Sequence, residues 1–277
     1  YSKCGALEKA HDVFDALPKR NVVTFNALIS GYVQHGLAAR ALSFFECMRD
    51  KEGFCPNAVT YANILKACGM IKSLEVGEGI DAEIRKKRLL HKDVVLGTAL
   101  VDMYSKCGAL EKSREVFEHL TVRDVVSWNA LIAGYTEHGL TDEALECFRK
   151  MQNEGVHPNS VTYISTLKAC GLARSLDIGE HIGAKVRKQG LLQNNVALGN
   201  TLVGMYAKCG ALDKAEEVFK HMPVRNVVSW NALISGYVEQ GIGLKAIKYF
   251  REMQDDGVGS TSVSSICIFK CHDIVDF

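Results

Sequence analysis

The apolar residues of this chain recur at helical spacing, and glycines interrupt them at short intervals. Leu131, Ile132 and Tyr135 form one apolar stripe, residues 144–151 form a second, and Gly139 lies between the two. Two β-branched residues open most of these segments, but no second strand-like run accompanies them at hairpin distance. The pattern therefore predicts pairs of amphipathic helices.

The helical pattern is also repeated in the letters of the sequence. The segment VVSWNALI occurs at Val125–Ile132 and again at Val227–Ile234, and VVTFNALI occurs at Val22–Ile29. The asparagines Asn26, Asn129 and Asn231 therefore recur at intervals of 103 and 102 residues. A repeat of this kind predicts stacked units that bury their apolar faces against one another.

Each long period divides into three kinds of unit, of about 35, 36 and 31 residues, and each unit contains two predicted helices. Neither helix of such a pair can bury its apolar stripe alone, so neighbouring pairs must stack. The expected fold is all-α, an α-solenoid with a right-handed superhelix of helix-turn-helix repeats. The concave surface of such a superhelix is the expected binding surface.

Composition narrows the choice of protein class. The chain has 277 residues, of which 47% are hydrophobic and 23% charged, and it contains four prolines. These values are typical of a helical globular protein. No stretch approaches the roughly 18 apolar residues of a membrane-spanning helix, so no membrane association is expected. The ten cysteines are expected to be reduced thiols packed between helices.

The repeated motifs resemble those of pentatricopeptide repeat proteins, specifically the plant subclass that alternates P-, L- and S-type repeats. The motifs are SWNALI in P-type units, LKACG at Leu65–Gly69 and Leu167–Gly171 in L-type units, and MYSKCG or MYAKCG at Met103–Gly108 and Met205–Gly210 in S-type units. A tetratricopeptide array is the nearest alternative, but its Trp, Leu-Gly, Tyr, Ala, Phe and Pro signature is absent. The assignment is a partial S-type repeat at 1–21, P-type repeats at 22–57, 125–159 and 227–261, L-type repeats at 58–93 and 160–195, S-type repeats at 94–124 and 196–226, and a degenerate tail at 262–277.

The resemblance implies single-stranded RNA as the partner, with one base read by each repeat. Two residues select the base: a polar residue early in the first helix and the last residue of the unit. The implied pairs are Asn26 with Asn57, Thr98 with Asp124, Asn129 with Asn159, Asn200 with Asn226, and Asn231 with Thr261. The L-type units depart from this pattern because Ala62 and Ile164 occupy the early position, opposite Asp93 and Asn195.

The chemistry of these side chains limits the bases that each pair could accept. A carboxylate only accepts hydrogen bonds and suits guanine or uracil, whereas an Asn amide also donates and suits cytosine or, less well, uracil. The resemblance implies guanine for Thr98 with Asp124 and a pyrimidine for each Asn pair. Read from the 5′ end, the order that it implies is pyrimidine, any base, guanine, pyrimidine, any base, pyrimidine, with a further pyrimidine at the Asn231 unit. Apolar residues that would sandwich each base lie three positions before the early residue, at Val23, Val95, Val126, Ala197 and Val228.

Several residues admit a purely structural interpretation. Trp128 and Trp230 align with Phe25, which favours core packing over base stacking. The basic runs at 85–88 and 185–188 are expected to be solvated surface near helix C-termini. A helix cap is the structural alternative for the Asn residues proposed to read bases.

The sequence offers no support for catalysis, a cofactor or a metal site. None of the nine histidines is followed two places later by Glu, and no Cys-x-x-Cys occurs, so the zinc deaminase signature is missing. Cys267, Cys271 and His272 lie close together in the degenerate tail, where a metal site is not expected. The chain begins within a repeat and is expected to be a fragment of a longer protein.

The resemblance implies that the parent protein acts in a mitochondrion or chloroplast of a plant, as a specificity factor for organellar RNA processing such as C-to-U editing. Editing-complex proteins supplied in trans are further implied partners. The alternative function is a protein-binding helical-repeat adaptor, which predicts apolar or charged clusters on the concave face instead of single polar residues at regular sites.

Overall fold

The computed structural model describes residue 1, residues 4–90 and residues 93–259, and these residues form helices and connecting turns without β-strands. The protein is thus all-α, as predicted, and the residues after each pair of valines are helical instead of extended. The chain divides between Gly134 and Tyr135 into two compact units.

Among the described residues, the first compact unit contains seven complete α-helices and the start of an eighth. The helices are α1 (Leu7–Asp15), α2 (Val22–Gln34), α3 (Ala38–Glu46) followed by a π-helical turn (Cys47–Lys51), α4 (Ala58–Ile71), α5 (Leu74–Lys86), α6 (Val94–Lys106), α7 (Leu110–Glu118) and α8 (Val125–Glu137), whose last turn belongs to the second unit. The first helix α2 packs against its own second helix α3 and against the next first helix α4, and α4 packs in the same way against α5 and α6.

The second compact unit repeats this arrangement. Its helices are α9 (Thr141–Asn153), α10 (Ser160–Ala173), α11 (Leu176–Lys188), α12 (Val196–Lys208), α13 (Leu212–His221), α14 (Val227–Glu239) and α15 (Gly243–Asp255). Helix α10 packs against α11 and α12, and α12 packs against α13 and α14. The division into P-, L- and S-type repeats stays a prediction.

Aromatic residues of the first helices lie in the core. Trp128 is 2% exposed and packs edge-on against Phe117, with ring centroids 4.5 Å apart. Trp230 is 1% exposed and packs in the same way against Phe219, at 4.7 Å. The prediction that these tryptophans are core residues and not base-stacking platforms is confirmed.

Turns between paired helices use a left-handed residue. Gly139, after α8, has a φ of 77°, which favours glycine. The equivalent residues after α4 and α10 are Lys72 and Arg174, with φ values of 54° and 51°. Helix α9 shows a difference from sequence expectation, because a Thr followed by acidic residues is typical of an N-cap. Thr141 is instead the first helical residue, and its N-cap is Leu140 without a side-chain capping bond.

Candidate nucleic-acid interface

The second residue of each first helix is a small apolar side chain that the fold leaves exposed. Val23 is 72% exposed and Val95 is 69% exposed. The same position holds exposed Val59, Val126, Val161, Ala197 and Val228. Covering apolar surface stabilises by about 25 cal/mol per Å². Each of these first helices therefore begins with an uncovered apolar side chain that a ligand could cover.

Two of these residues, Val59 and Val161, were not among the predicted base-sandwiching residues. They lie in the L-type units, where the apolar Ala62 and Ile164 give no polar signal at the early position. The signal was present, because each valine lies three positions before its early residue, as in the other units. The helix bounds make both valines the second residue of a first helix.

The early polar residues are buried one helical turn after the exposed apolar residues. Asn26 is 8% exposed, and Thr98, Asn129 and Asn200 are each 9% exposed. Asn231 is half-buried. A buried polar side chain must find a hydrogen-bond partner or bear a desolvation cost. The partners of these residues therefore decide what the surface can recognise.

The residues that end each unit cap the first helix of the next unit. Asn57 accepts a hydrogen bond from the backbone N–H of Thr60, and Asn159 and Asn226 form equivalent caps. Asp124 Oδ1 accepts from the N–H groups of Val126 and Ser127, at 3.1 and 2.8 Å. The structural alternative thus applies to the last residue of the unit. The early residues lie inside their helices and cap nothing.

In the first P-type unit, the two proposed reader residues are directly bonded. Asn26 Nδ2 donates to Asn57 Oδ1 at 3.1 Å, and Thr60 Oγ1 donates to Asn26 Oδ1 at 2.7 Å. Asn57 Oδ1 also accepts the capping bond, so its acceptor capacity is used. Its Nδ2 group makes no hydrogen bond within the described part of the chain, and Asn57 is exposed. The pair therefore presents an amide donor.

The second S-type unit builds the same arrangement. Asn200 Nδ2 donates to Asn226 Oδ1 at 3.1 Å, and Ser229 Oγ donates to Asn200 Oδ1 at 2.6 Å. Asn226 Oδ1 accepts the capping bonds from Val228 and Ser229, at 3.0 and 3.1 Å. The exposed Asn226 again keeps its Nδ2 group unbonded within the described residues.

The first S-type unit differs, because no hydrogen bond joins Thr98 to Asp124. The Thr98 hydroxyl is buried without a partner among the described residues. Ser127 Oγ donates to the Asp124 backbone carbonyl at 2.9 Å and leaves Thr98 unbonded. Asp124 Oδ2 makes no hydrogen bond in the described part of the chain. This unit thus presents a carboxylate acceptor in place of an amide donor.

The remaining early and last residues lie in the P-type and L-type units. Asn129 and Asn159 belong to different compact units. The L-type units place half-buried Ala62 and Ile164 at the early position, while Asp93 and Asn195 cap α6 and α12. Three further predictions concern residues outside the described part of the chain: the pairing of Asn231 with Thr261, the degenerate tail, and the absence of a metal site at Cys267, Cys271 and His272.

The basic runs lie at the C-terminal ends of second helices. Arg85 bonds to Asp81 Oδ1 at 2.9 Å, and Lys87 Nζ donates to Tyr61 Oη at 2.8 Å. Arg187 and Lys188 are exposed at the end of α11. The expectation of solvated surface near helix C-termini agrees with these positions. None of the described helices is long and apolar enough to cross a membrane.

Comparisons with known proteins agree with the fold and with the repeat pattern. The model of the PPR repeat family matches residues 20–70, 123–171 and 225–272, and the PPR repeat model matches residues 98–125 and 200–227. The chain therefore belongs to the pentatricopeptide repeat family.

Curated relatives from Arabidopsis thaliana match along most of the chain. A chloroplastic pentatricopeptide repeat-containing protein is 39% identical over 257 residues, covering 93% of this chain and 41% of the relative. A mitochondrial one is 41% identical over 256 residues, covering 92% of this chain and 40% of the relative. The chain thus spans about two fifths of the length of these relatives.

Solved structures share the helical-repeat fold. The pentatricopeptide repeat protein PPR10 in complex with an 18-nt psaJ RNA element aligns with a TM-score of 0.79 at 21% identity, over 98% of this chain and 41% of that chain. PPR10 from maize aligns with a TM-score of 0.73 at 20% identity, over 100% of this chain and 40% of that chain. The fold is an α-solenoid, as predicted from the repeats.

Proposed function

We propose that this chain binds single-stranded RNA selectively, with one nucleotide at each repeat. The observation that carries the proposal is the series of exposed apolar residues at the second position of every first helix, each one turn before the early reader. A base that lies over such a valine covers apolar surface and meets the reader pair at its edge. Aromatic stacking contributes roughly 1–3 kcal/mol per base, and an aliphatic contact contributes less.

The polar groups left unbonded at the reader pairs support the expected base order. The free amide donors of Asn57 and Asn226 suit the ring nitrogen and carbonyl acceptors of cytosine, and less well those of uracil. The free carboxylate oxygen of Asp124 accepts from the N–H groups on the guanine edge. The apolar Ala62 and Ile164 of the L-type units offer a base edge no hydrogen bond.

The family relationship supports the same function. PPR10 is described in complex with an RNA element, and curated relatives are designated chloroplastic or mitochondrial. We infer that the parent protein acts in one of these organelles as a specificity factor for RNA processing such as C-to-U editing. In this proposal the repeats place a target nucleotide, and a deaminase C-terminal to the repeats or supplied in trans performs the chemistry.

A competition experiment tests the base order. The labelled probe is an unstructured RNA with the order cytosine, uracil, guanine, cytosine, uracil, cytosine, which fits the expected preference. One set of unlabelled competitors, the fitting RNAs, keeps this order. The other set, the permuted RNAs, has a purine at each position where a pyrimidine is expected and a pyrimidine in place of the guanine. Electrophoretic mobility shift reports binding. Stronger competition by the fitting order is expected. Equal competition by both sets contradicts base reading, and no binding of either favours the protein-binding adaptor.

A further inference from the structure

The first helix of each L-type unit carries unpaired positive charge on the face of its exposed valine. Lys66 lies seven residues after Val59 in α4, and Lys168 lies seven residues after Val161 in α10. Seven residues are about two helical turns, so each lysine shares the face of its valine. Lys66 and Lys168 are exposed and form no ion pair among the described residues.

Two further cations lie at the boundary between the first L-type and S-type units, one just after α4, which carries Lys66, and one on α6, which packs against it. The Lys106 side chain of α6 packs on Gly69 of α4, where an added Cβ would lie 3.1 Å from Lys106 Cδ. Lys72 is the C-cap residue that follows α4. Its ammonium group influences Cys107, the residue after Lys106: burial raises the pKa of the Cys107 thiol, and the positive charge of Lys72 partly offsets this rise. We call Lys66, Lys72 and Lys106 the first cationic cluster.

The boundary between the second L-type and S-type units contains an equivalent group. Lys208 of α12 packs on Gly171 of α10, where an added Cβ would lie 3.4 Å from Lys208 Cδ. Arg174 is the C-cap residue that follows α10. Burial raises the pKa of the Cys209 thiol, and the positive charge of Arg174 partly offsets this rise. We call Lys168, Arg174 and Lys208 the second cationic cluster.

The two clusters differ in their acidic content. In the first, Asp102 pairs with Lys106 at 2.7 Å. In the second, Gly204 occupies the equivalent position, and Lys208 forms no ion pair among the described residues. The P-type units end their first helices with Gln34, Glu137 and Glu239 at the position of these S-type lysines. Positive charge on this face is therefore concentrated at the boundaries between L-type and S-type units.

The left-handed conformation of Lys72 and Arg174 adds a physical argument. A non-glycine residue in this conformation is strained, whereas glycine adopts it without strain. The other first helices with a described turn place glycine there, including Gly108 and Gly210. Both L-type units thus place a long cationic side chain at a position where the other first helices have glycine.

We propose that the two cationic clusters bind phosphate groups of the RNA strand, so that the L-type units hold the backbone where they read no base. The second cluster binds more tightly because no acidic side chain competes for its cations. This inference rests on the proposed RNA-binding function. It makes the L-type units anchors for the backbone.

The salt dependence of binding tests this inference. The whole chain carrying Lys168→Gln, Arg174→Gly and Lys208→Gln is compared with a control carrying Lys86→Gln, Arg149→Gln and Lys188→Gln, which removes the same charge from exposed second-helix positions. Fluorescence anisotropy of the fitting and permuted RNAs is measured over a salt series. A slope of log K against log salt smaller by about 2 is expected for the cluster variant, since each single-strand phosphate contact contributes about 0.7.

The two clusters also allow a reciprocal exchange. Asp102→Asn should strengthen RNA binding and make the salt slope steeper. Gly204→Asp should weaken RNA binding and make the salt slope shallower, because the new carboxylate can pair with Lys208 as Asp102 pairs with Lys106. Gly204 has room for a side chain, because an added Cβ would meet nothing closer than Ala232 Cβ at 4.0 Å.

The outcomes separate this inference from the proposed function. Equal slopes for the cluster and control variants, with base preference intact, overturn the phosphate sites and leave RNA reading standing. A reduced slope that is equal for the fitting and permuted RNAs supports the sites. Failure of the unmodified chain to bind any RNA overturns both proposals.

Discussion

At the scale of single residues, one Asn amide serves two purposes at each bonded reader pair. The Oδ1 atom of Asn57 caps α4 and accepts from Asn26, so the side chain is held in one orientation. Its Nδ2 group is then left free of bonds within the described residues. A fixed donor discriminates between base edges better than a mobile one, because less rotamer freedom is lost on binding.

Exchanging a carboxylate for an amide should change the base that is read. Asp124→Asn replaces an acceptor with a group that also donates. Because the family resemblance implies adenine for a Thr paired with Asn, the preference of that unit should move from guanine toward adenine. Asn caps a helix as well as Asp does, so stability should be retained. The measurement is competition binding with RNAs that vary at this one position.

The matched control is Asp93→Asn in the first L-type unit. It makes the same chemical change at another N-cap, but opposite Ala62, which has no polar group. No change of base preference is expected there. An equal shift in both variants would mean that the cap residue reads the base without its partner.

The sequence predicts which residues are the proposed readers, but it does not predict their hydrogen bonds. The family resemblance implied the two positions in each unit, and their role in base reading stays a prediction. Whether Ser127 or Ser229 donates to an early residue depends on how the next helix approaches, which no single segment encodes. Only the structure therefore shows that Asn226 presents its Nδ2 donor and that Asp124 presents its Oδ2 acceptor.

At the scale of helices, first helices approach closely where glycine lies between them. An added Cβ at Gly236 in α14 would lie 2.5 Å from Ala207 Cβ and 3.4 Å from Ala207 Cα in α12. Gly236→Ala should therefore push these helices apart and lower the free energy of unfolding by about 1–3 kcal/mol. The measurement is urea unfolding followed by Trp230 fluorescence in a Trp128→Phe background, a substitution that Phe25 shows to be compatible with this position.

Gly204→Ala is the control for this prediction. It lies in the same helix pair, where an added Cβ would approach no atom more closely than 4.0 Å. Alanine is the better helix former by up to about 1 kcal/mol, so unchanged or increased stability is expected. Equal destabilisation by both substitutions would contradict the importance of the close approach at Gly236.

A carboxylate links three consecutive helices of the second unit. Glu216 in α13 bonds to Lys220, accepts from Tyr237 Oη in α14 at 2.6 Å, and pairs with Lys245 in α15 at 3.5 Å. The bonds from Lys220 and Tyr237 lower the pKa of Glu216 to about 2.

Acid should therefore weaken this part of the molecule. Because the folded-state pKa lies below the unfolded value, the contribution is present above pH about 4.3 and is lost as the pH falls toward 2. Glu216→Gln should flatten the pH dependence of unfolding in this window. The exposed neighbour Glu217 supplies the control, since Glu217→Gln should retain the steeper dependence.

Most of the fold was predictable because the same signals recur in every unit. The apolar stripes and the glycines located paired helices. Sequence reasoning was weaker at second-helix starts, where Leu140 precedes α9 without a side-chain cap. The left-handed Lys72 was also unpredictable, because a lysine gives no local signal for that conformation.

At the scale of the whole molecule, the proposed binding energy is distributed over many similar sites. Each exposed apolar residue offers a small contact, and the reader pairs add discrimination at some units. In this proposal the L-type units read no base but keep exposed Val59 and Val161. The proposal therefore assigns affinity and selectivity to different sets of residues.

Removing the two L-type valines should separate affinity from selectivity. Val59→Ala and Val161→Ala each remove part of a base contact, so each should weaken binding to fitting and permuted RNAs by the same factor. The losses should add in free energy, because the two residues belong to different compact units and are expected to act independently. The control is Val76→Ala, which trims an exposed valine on the second helix α5 and should leave affinity unchanged. Anisotropy titrations measure the unmodified chain, the two single variants, the double variant and the control. A changed base preference in either L-type variant would contradict the proposed separation of affinity from selectivity.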